Sequence, residues 1–272
     1  MNFKLEYMDL NLSKLEYNGI KIYYRKGSTD EDVITYSLDQ DIFLKEIRDF
    51  KLTHDINLID IGAHIGTFSI IASQKAPNGK IYAVEASKDT FSILKKTVEE
   101  NNLQNIICVN SAISKSDGTE KLFLSPENWE HSITKKFTGE FELVKSLSLK
   151  TFFQEYDLKS CDLIKFNCEG AEFGIVFSTP PEVLKKIKMM LILFHEDMVD
   201  DKNHNRNTLK EYLRKNNFLI RTVGENEIRG WIIAKNKSFY SVSGHNWFVM
   251  KDFFTKKASS FLNRVIRKYK NV

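Results

Sequence analysis

The segment Asp60-Ile61-Gly62-Ala63-His64-Ile65-Gly66, followed by Glu85 at the end of the next apolar run, constrains this chain more than any other stretch. Asn57-Leu58-Ile59 reads as a buried strand, residues 67–72 as the helix after it, and Lys80-Ile81-Tyr82-Ala83-Val84 as the next parallel strand. The glycines then fall in the tight turn between strand and helix, and Glu85 falls at the carboxyl end of the second strand. Ligands of open parallel sheets bind outside those strand ends, where an acid accepts the hydroxyls of a ribose. The pattern predicts an α/β chain with a nucleoside site beside Gly62.

Glycine spacing narrows the ligand. Closing backbone and helix N-terminus on a pyrophosphate takes G-x-G-x-x-G. This chain has only G-x-x-x-G, from Gly62 to Gly66, with Ala63 where a phosphate would need a closer approach. An adenosine ligand without phosphate fits that spacing. A glycine turn between strand and helix also occurs in proteins that bind no nucleoside, so the turn by itself does not fix a function.

The rest of the chain extends the sheet. Residues 105–110 read as a third strand, after which Ser111 and Ala112 stand where backbone groups edge an adenine ring. Asp117-Gly118 turns into a strand over 120–124, a short helix starts at 148–153, and 162–167 read as a fourth core strand ending in Cys168-Glu169-Gly170-Ala171-Glu172. A fifth strand at 189–194, a helix at 207–217 and strands at 218–223 and 230–234 close the pattern. Before the core, Asn18-Gly19 lies between alternating apolar positions, a hairpin signal. Residues 30–50 read as one or two short helices with Val33, Ile34, Ile42, Phe43, Ile47 and Phe50 inward, either a cap over the cleft or a pedestal under the sheet.

The D-x-G-x-x-x-G turn with a downstream acid has the form typical of class I methyltransferases. The segments LIDIGAHIGTFS (58–69), YAVEAS (82–87), NNLQNIICVNSAISKSDG (101–118), SLSLKTF (146–152) and LIKFNCEGAE (163–172) together resemble the FkbM family of S-adenosylmethionine-dependent methyltransferases. The resemblance implies a class I methyltransferase Rossmann-like sheet over 54–236. An N-terminal hairpin and helical cap over 1–53 and a C-terminal extension over 237–272 with a basic amphipathic helix would flank it. It also implies S-adenosyl-L-methionine as cofactor, with Asp60, Gly62, His64, Gly66, Thr67, Glu85, Ser111, Ala112 and Asn167 around it. The implied reaction is methyl transfer to a hydroxyl of a sugar, glycan or lipid-linked saccharide, or alternatively of a small-molecule natural product. The family's fourth strand usually ends I-D-V-E-G-A-E, and here Asn167 replaces the aspartate. An amide can take over a hydrogen bond but not a base's or metal ligand's charge, so no metal is expected. A protein that binds the cofactor at a membrane surface without turnover is the reading that Asn167 favours.

Methyl transfer from a sulfonium requires alignment of an oxygen and removal of its proton. His195, after the fifth strand with Glu196 and Asp197 beside it, is the first candidate base, and Glu169 and Glu172 are the others. A polar residue at a strand end with no catalytic part is the alternative for His195. His64 is expected to line the cofactor, and His131 and His204 to be solvated in loops. The cap and the insertion at 119–147 would build the acceptor pocket.

Net charge divides along the chain. Residues 251–272 carry seven Lys or Arg against one acid, while the rest holds 33 bases and 35 acids. Phe254, Ala258, Phe261, Leu262, Val265, Ile266 and Tyr269 recur there at helical spacing, the make-up of an interfacial helix on anionic lipid. A terminal helix packed on the domain or used for dimerisation is the alternative. The acidic body argues against nucleic acid. Three scattered cysteines, no membrane-spanning run and no signal-peptide core at the first residues predict a cytoplasmic chain, peripheral on the inner membrane face if the tail binds lipid. At 272 residues and 42% hydrophobic composition the core needs no disulfides. Oligomeric state has no sequence signal.

Overall fold

The computed structural model describes residues 12–39, 42–47, 52–53, 55–127, 130–137, 139–224 and 227–240. The basic tail at 251–272 and Phe50 lie outside these.

A hairpin comes first, β1 (Leu12–Tyr17) and β2 (Ile20–Arg25), joined by Asn18 and Gly19 at φ 48° and 80°. Both turn residues are left-handed, as the Asn-Gly pair predicts. Then α1 (Asp30–Ile34) runs into a π-helical turn (Thr35–Asp39), and a 3₁₀ turn spans Leu44–Ile47. Val33, Tyr36, Ser37, Ile42 and Phe43 face the main cavity, so the described part of this segment caps it.

The core alternates strands and helices: β3 (Asn57–Ile61), α2 (Thr67–Lys75), β4 (Lys80–Glu85), α3 (Lys88–Glu100) and β5 (Ile106–Asn110). After an insertion come α4 (Leu149–Glu155), β9 (Cys161–Phe166), α5 (Ala171–Ser178), α6 (Pro181–Leu184), β10 (Ile187–His195), α7 (Arg206–Lys215), β11 (Phe218–Val223) and β12 (Arg229–Asn236). The inserted strands are β6 (Ala112–Ile113), β7 (Gly118–Phe123) and β8 (Phe141–Leu147), which form a separate sheet in the order β6-β8-β7.

The main sheet has the order β11-β12-β10-β9-β3-β4-β5, with β12 antiparallel to both neighbours and the other pairs parallel. The parallel strands read as continuous apolar runs because helices cover both faces. Leu58, Ile59, Leu163, Ile164, Met190 and Leu191 are fully buried. On α3, Thr90, Ile93, Leu94, Thr97 and Val98 are inward at i, i+3, i+4 spacing. Helix ends are fixed by side chains where the sequence offers caps: Ser148 accepts from Thr151 N–H before α4, and Asn205 with Thr208 forms a reciprocal cap on α7.

From β3 the chain winds outward through β4 to β5, then returns to the other side of β3 with β9 and β10. The reversal between β3 and β9 is where a ligand crevice opens in such sheets. Cys108, Cys161 and Cys168 are free thiols. Among the described residues no helix is long and apolar enough to cross a membrane, and no cluster of His, Cys, Asp and Glu could hold a metal.

Candidate active site

The cleft lies at the carboxyl ends of β3, β4, β5, β9 and β10, under the cap and beside the insertion. Its floor is the glycine turn. Gly62 and Ala63 N–H both donate to Val84 O at 3.0 Å, tying the turn to β4, and Asn167 N–H donates to Ile61 O at 3.0 Å, tying it to β9. Under this turn Lys165, 2% exposed, donates to Asp60 Oδ1 at 2.8 Å and to Gly62 O at 2.9 Å, while Ser69 Oγ donates to Asp60 Oδ2 at 2.7 Å. The rings of Phe43 and Phe68 flank the ammonium at 4.9 and 5.8 Å.

These contacts correct two expected cofactor residues. Both Asp60 oxygens are engaged within the protein, so Asp60 supports the turn through Lys165 and does not line the cavity. Gly66 does not line it either, since a β-carbon there would meet Leu94 Cδ1 of α3 at 2.4 Å. The remaining expected residues, Gly62, His64, Thr67, Glu85, Ser111, Ala112 and Asn167, all face the cavity.

Glu85 accepts His64 N–H and Ser87 N–H, one per oxygen, each at 2.9 Å. Burial raises its pKa against those two hydrogen bonds and the Lys165 charge. Each oxygen retains a lone pair for a further donor. His64 is left-handed at φ 54°, and burial holds its imidazole neutral with a pKa of about 4, outweighing Asp30, whose Oδ1 lies 3.5 Å from Nε2. The cap is pinned here as well: Thr67 donates to Ser37 Oγ at 2.9 Å, and Asp30 receives Arg25 in a fork.

At the other end of the cleft His195 is almost fully buried between two carboxylates. Its N–H donates to Glu172 Oε1 at 2.7 Å, Nδ1 lies 3.2 Å from the same oxygen, and Nε2 lies 3.4 Å from Glu169 Oε1. Burial lowers the imidazole pKa, but the Glu169 and Glu172 charges outweigh it and raise it overall. Glu169 is pushed up to about 7, by burial first, with His195 and Arg229 opposing. Its backbone is left-handed, φ 49°. Oε2 of Glu169 is buried without a hydrogen-bond partner.

The expected partners of His195 are thereby replaced. Glu196 instead receives Arg206, with Oε1 2.9 Å from Nε, and Asp197 receives Arg229, with Oδ2 2.8 Å from Nη2. Glu172 is wholly buried, does not line the cavity and gives its other oxygen to Gly170 N–H at 3.0 Å. It orients His195 and has no access to a substrate. His131, expected in solvent, faces the cavity and accepts Ser125 N–H on Nδ1 at 3.1 Å, so Nε2 carries the hydrogen of the neutral ring. His204 stacks on Phe173 with centroids 5.9 Å apart, away from the cleft.

Residues 60–220 match the family described as Methyltransferase FkbM domain. The chain belongs to that family. Its similarity extends to Methyltransferase 1 of Beauveria bassiana (strain ARSEF 2860), 24% identical over 161 residues that make up 51% of this chain and 65% of the relative. Methyltransferase sdnD of Sordaria araneosa is 25% identical over 167 residues, 50% of this chain and 64% of that one. The chain thus spans a little under two thirds of each relative. Among solved structures, the fibrillarin pre-rRNA processing protein of Methanococcus jannaschii aligns with a TM-score of 0.47 at 13% identity, covering 84% of this chain and 83% of that one. Precorrin-6y C5,15-methyltransferase of Geobacter metallireducens GS-15 aligns at 0.44 and 16% identity, covering 73% and 89%.

FkbM proteins are S-adenosylmethionine-dependent, and this cleft fits that cofactor. Among the cavity-lining atoms, Ser111 Oγ, Asn167 Oδ1 and both ring nitrogens of His64 are buried without hydrogen-bond partners, as expected of a wall that waits for a polar ligand. Glu85 would hold the ribose, the Ser111–Ala112 edge the adenine, Asn167 Oδ1 the ammonium and the third Lys165 N–H the carboxylate. An amide oxygen can accept from an ammonium, so asparagine at 167 leaves that contact available. Lys165 and Arg229 are site residues that the sequence does not announce. The first is a charge inside an apolar run. The second comes to the cleft through antiparallel register, His195 opposite Arg229.

Proposed function

We propose that this chain transfers the methyl group of S-adenosylmethionine to a hydroxyl of a sugar, glycan or lipid-linked saccharide, with Glu169 as the base. The observation that carries this reading is Glu169 Oε2, a buried acceptor without a partner in the wall of the cavity that Glu85 also lines. Both ring nitrogens of His195, by contrast, face carboxylates. That moves the base from His195 to Glu169.

When bound, the cofactor supplies a methyl group on a sulfonium leaving group. The chain's own residues hold the acceptor oxygen in line and take its proton. Glu169 receives that proton on Oε2, and a carboxyl that titrates near 7 is matched to the task at neutral pH. His195, held by Glu172, faces Oε1 and keeps the ionised form of Glu169 accessible despite its burial. Glu130, His131 and Arg229 give the facing wall several hydrogen-bonding groups, which supports an acceptor with more than one oxygen.

A second reading rests on the apolar part of the same wall, Ile113, Leu122 and Ile133 from the insertion with Val33 and Ile42 from the cap. These favour a small natural product with an apolar body. Incubation with methyl-labelled S-adenosylmethionine and, separately, a glycan extract, lipid-linked saccharides and phenolic compounds tests the two. Alkali-stable label on the saccharides supports the first reading. Label on the phenols alone supports the second, and cofactor binding with no transfer to any of them leaves a binding protein.

A further inference from the structure

We propose that Ser132 and Thr134, on the segment that crosses the cleft between β7 and β8, are positioning residues for Glu169. The proposal rests on the reading of Glu169 as the base. Ser132, 1% exposed, donates from Oγ to the Glu169 carbonyl at 2.6 Å and accepts Thr134 N–H at 3.1 Å and Lys135 N–H at 3.2 Å. Thr134 Oγ1 lies 3.0 Å from the same carbonyl, 2.9 Å from Met198 O and 2.8 Å from Ser132 Oγ. Two hydroxyl hydrogens thus serve a compact set of oxygens, and the main contact of the set is the backbone of the base.

That backbone needs holding. A non-glycine residue at φ 49° persists only where its surroundings impose the conformation. Gly170 shows how closely the segment packs on the turn: a β-carbon there would lie 2.6 Å from Thr134 Oγ1 and 2.8 Å from Met198 O. The segment is also anchored from outside, by Lys135 Nζ on Asp197 O at 3.0 Å and by Glu130 on Arg229 at 3.2 Å. Its Glu130, His131 and Ile133 line the cavity beside Glu169. The hydroxyls therefore aim the carboxylate and close water out at the same time. A reacting group displaced by about 1 Å loses about 100-fold in rate, so such support bears on turnover as well as on folding.

Glu169 is faced by His195 from β10, Arg229 from β12, Glu172 from α5 and Glu130 from the crossing segment. His195 and Glu172 lie on other elements and Arg229 is also held by Asp197 at 2.8 Å, so loosening the segment chiefly admits water. The carboxyl should then titrate lower, because burial is what raises it.

The test is ¹³C NMR titration of the glutamate side-chain carboxyls in the full chain saturated with S-adenosylhomocysteine, with Glu169→Gln identifying the resonance. The wild type should titrate near neutral pH. Ser132→Ala and Thr134→Val should each lower the midpoint by at least about one pH unit, a tenfold change in the protonation equilibrium, with cofactor-product affinity within about twofold. Thr134→Ser, which keeps the hydroxyl, should restore the wild-type midpoint. Unmoved midpoints in both loss variants, with only a lower melting temperature, overturn the proposal. If Ser132→Ala does not fold, Thr134→Val against Thr134→Ser decides alone. A wild-type Glu169 that titrates in the ordinary carboxylate range overturns the base reading itself, a result distinct from failure of the positioning.

Discussion

The carbonyl oxygen of Asn167 stands 1.8 Å from the point that a β-carbon on Gly62 would occupy. The turn after β3 and the turn after β9 are thus pressed together at the strand reversal, and Gly62 also has φ 71°. Gly62→Ala should destabilise the protein by about 2–4 kcal/mol, from backbone displacement and left-handed strain together. It should also weaken binding of S-adenosylhomocysteine. Thermal melting and calorimetry read both effects. Gly66→Val should act differently, on the packing of α2 against α3 at Leu94, because Gly66 faces that side chain and not the cavity.

Glu85→Ala should cost cofactor binding about 1.5–3 kcal/mol, the range for hydrogen bonds to a charged partner. Glu85→Gln should not be benign. Both carboxylate oxygens already accept backbone N–H groups, and an amide would set its own NH₂ against one of them. Calorimetry with S-adenosylhomocysteine should rank wild type first, then Gln, then Ala.

The core strands are legible in the sequence because burial on both faces leaves runs that are apolar apart from single charges such as Asp60 and Lys165, and the glycine turn is legible because its backbone tolerates little else. The hairpin follows from Asn18-Gly19. The insertion is a different matter: β8 turns Phe141 and Leu143 outward and Ser146 inward, so the strand's polarity does not reveal which face is covered. Asp60 shows the limit at the site itself. Its position in the motif suggests a ligand contact, but its partner Lys165 is more than a hundred residues away and only the β3–β9 register brings them together. Arg229 and His131 escape for the same reason, since antiparallel register and the fold of an inserted loop set their positions.

Acid should report on His64. Its folded-state pKa is lowered, to about 4, so the native state resists protonation, and the stability this represents is complete above the unfolded value of 6.5 and is lost as pH falls toward 4. Glu169 works the other way: its raised pKa favours the native state in acid and stops doing so as pH rises through about 7. His64→Gln should therefore gain on the wild type as pH falls from 7 to 4, by up to about 3 kcal/mol. Melting temperatures of the two proteins across that range check the sign. Parallel curves would mean that His64 is not held neutral by the fold.

We propose that the tail bears on location. Deletion of residues 251–272 removes seven cations and the apolar stripe, and should release the protein from anionic vesicles while leaving S-adenosylhomocysteine affinity unchanged. Each surface cation contributes about 1 kcal/mol there and is screened by salt. Sedimentation with vesicles at low and high salt checks this. Indifference of the intact chain to anionic vesicles would remove the support for a lipid-linked acceptor.

On the proposed reading, Glu169 takes the acceptor's proton in a cleft that binds the cofactor independently of it. Glu169→Gln, isosteric but unable to accept that proton, separates chemistry from binding when label transfer to the identified acceptor and S-adenosylhomocysteine affinity are measured on the same preparation. Turnover should fall roughly 100-fold to 10,000-fold with affinity within about twofold. Near-wild-type turnover would contradict it.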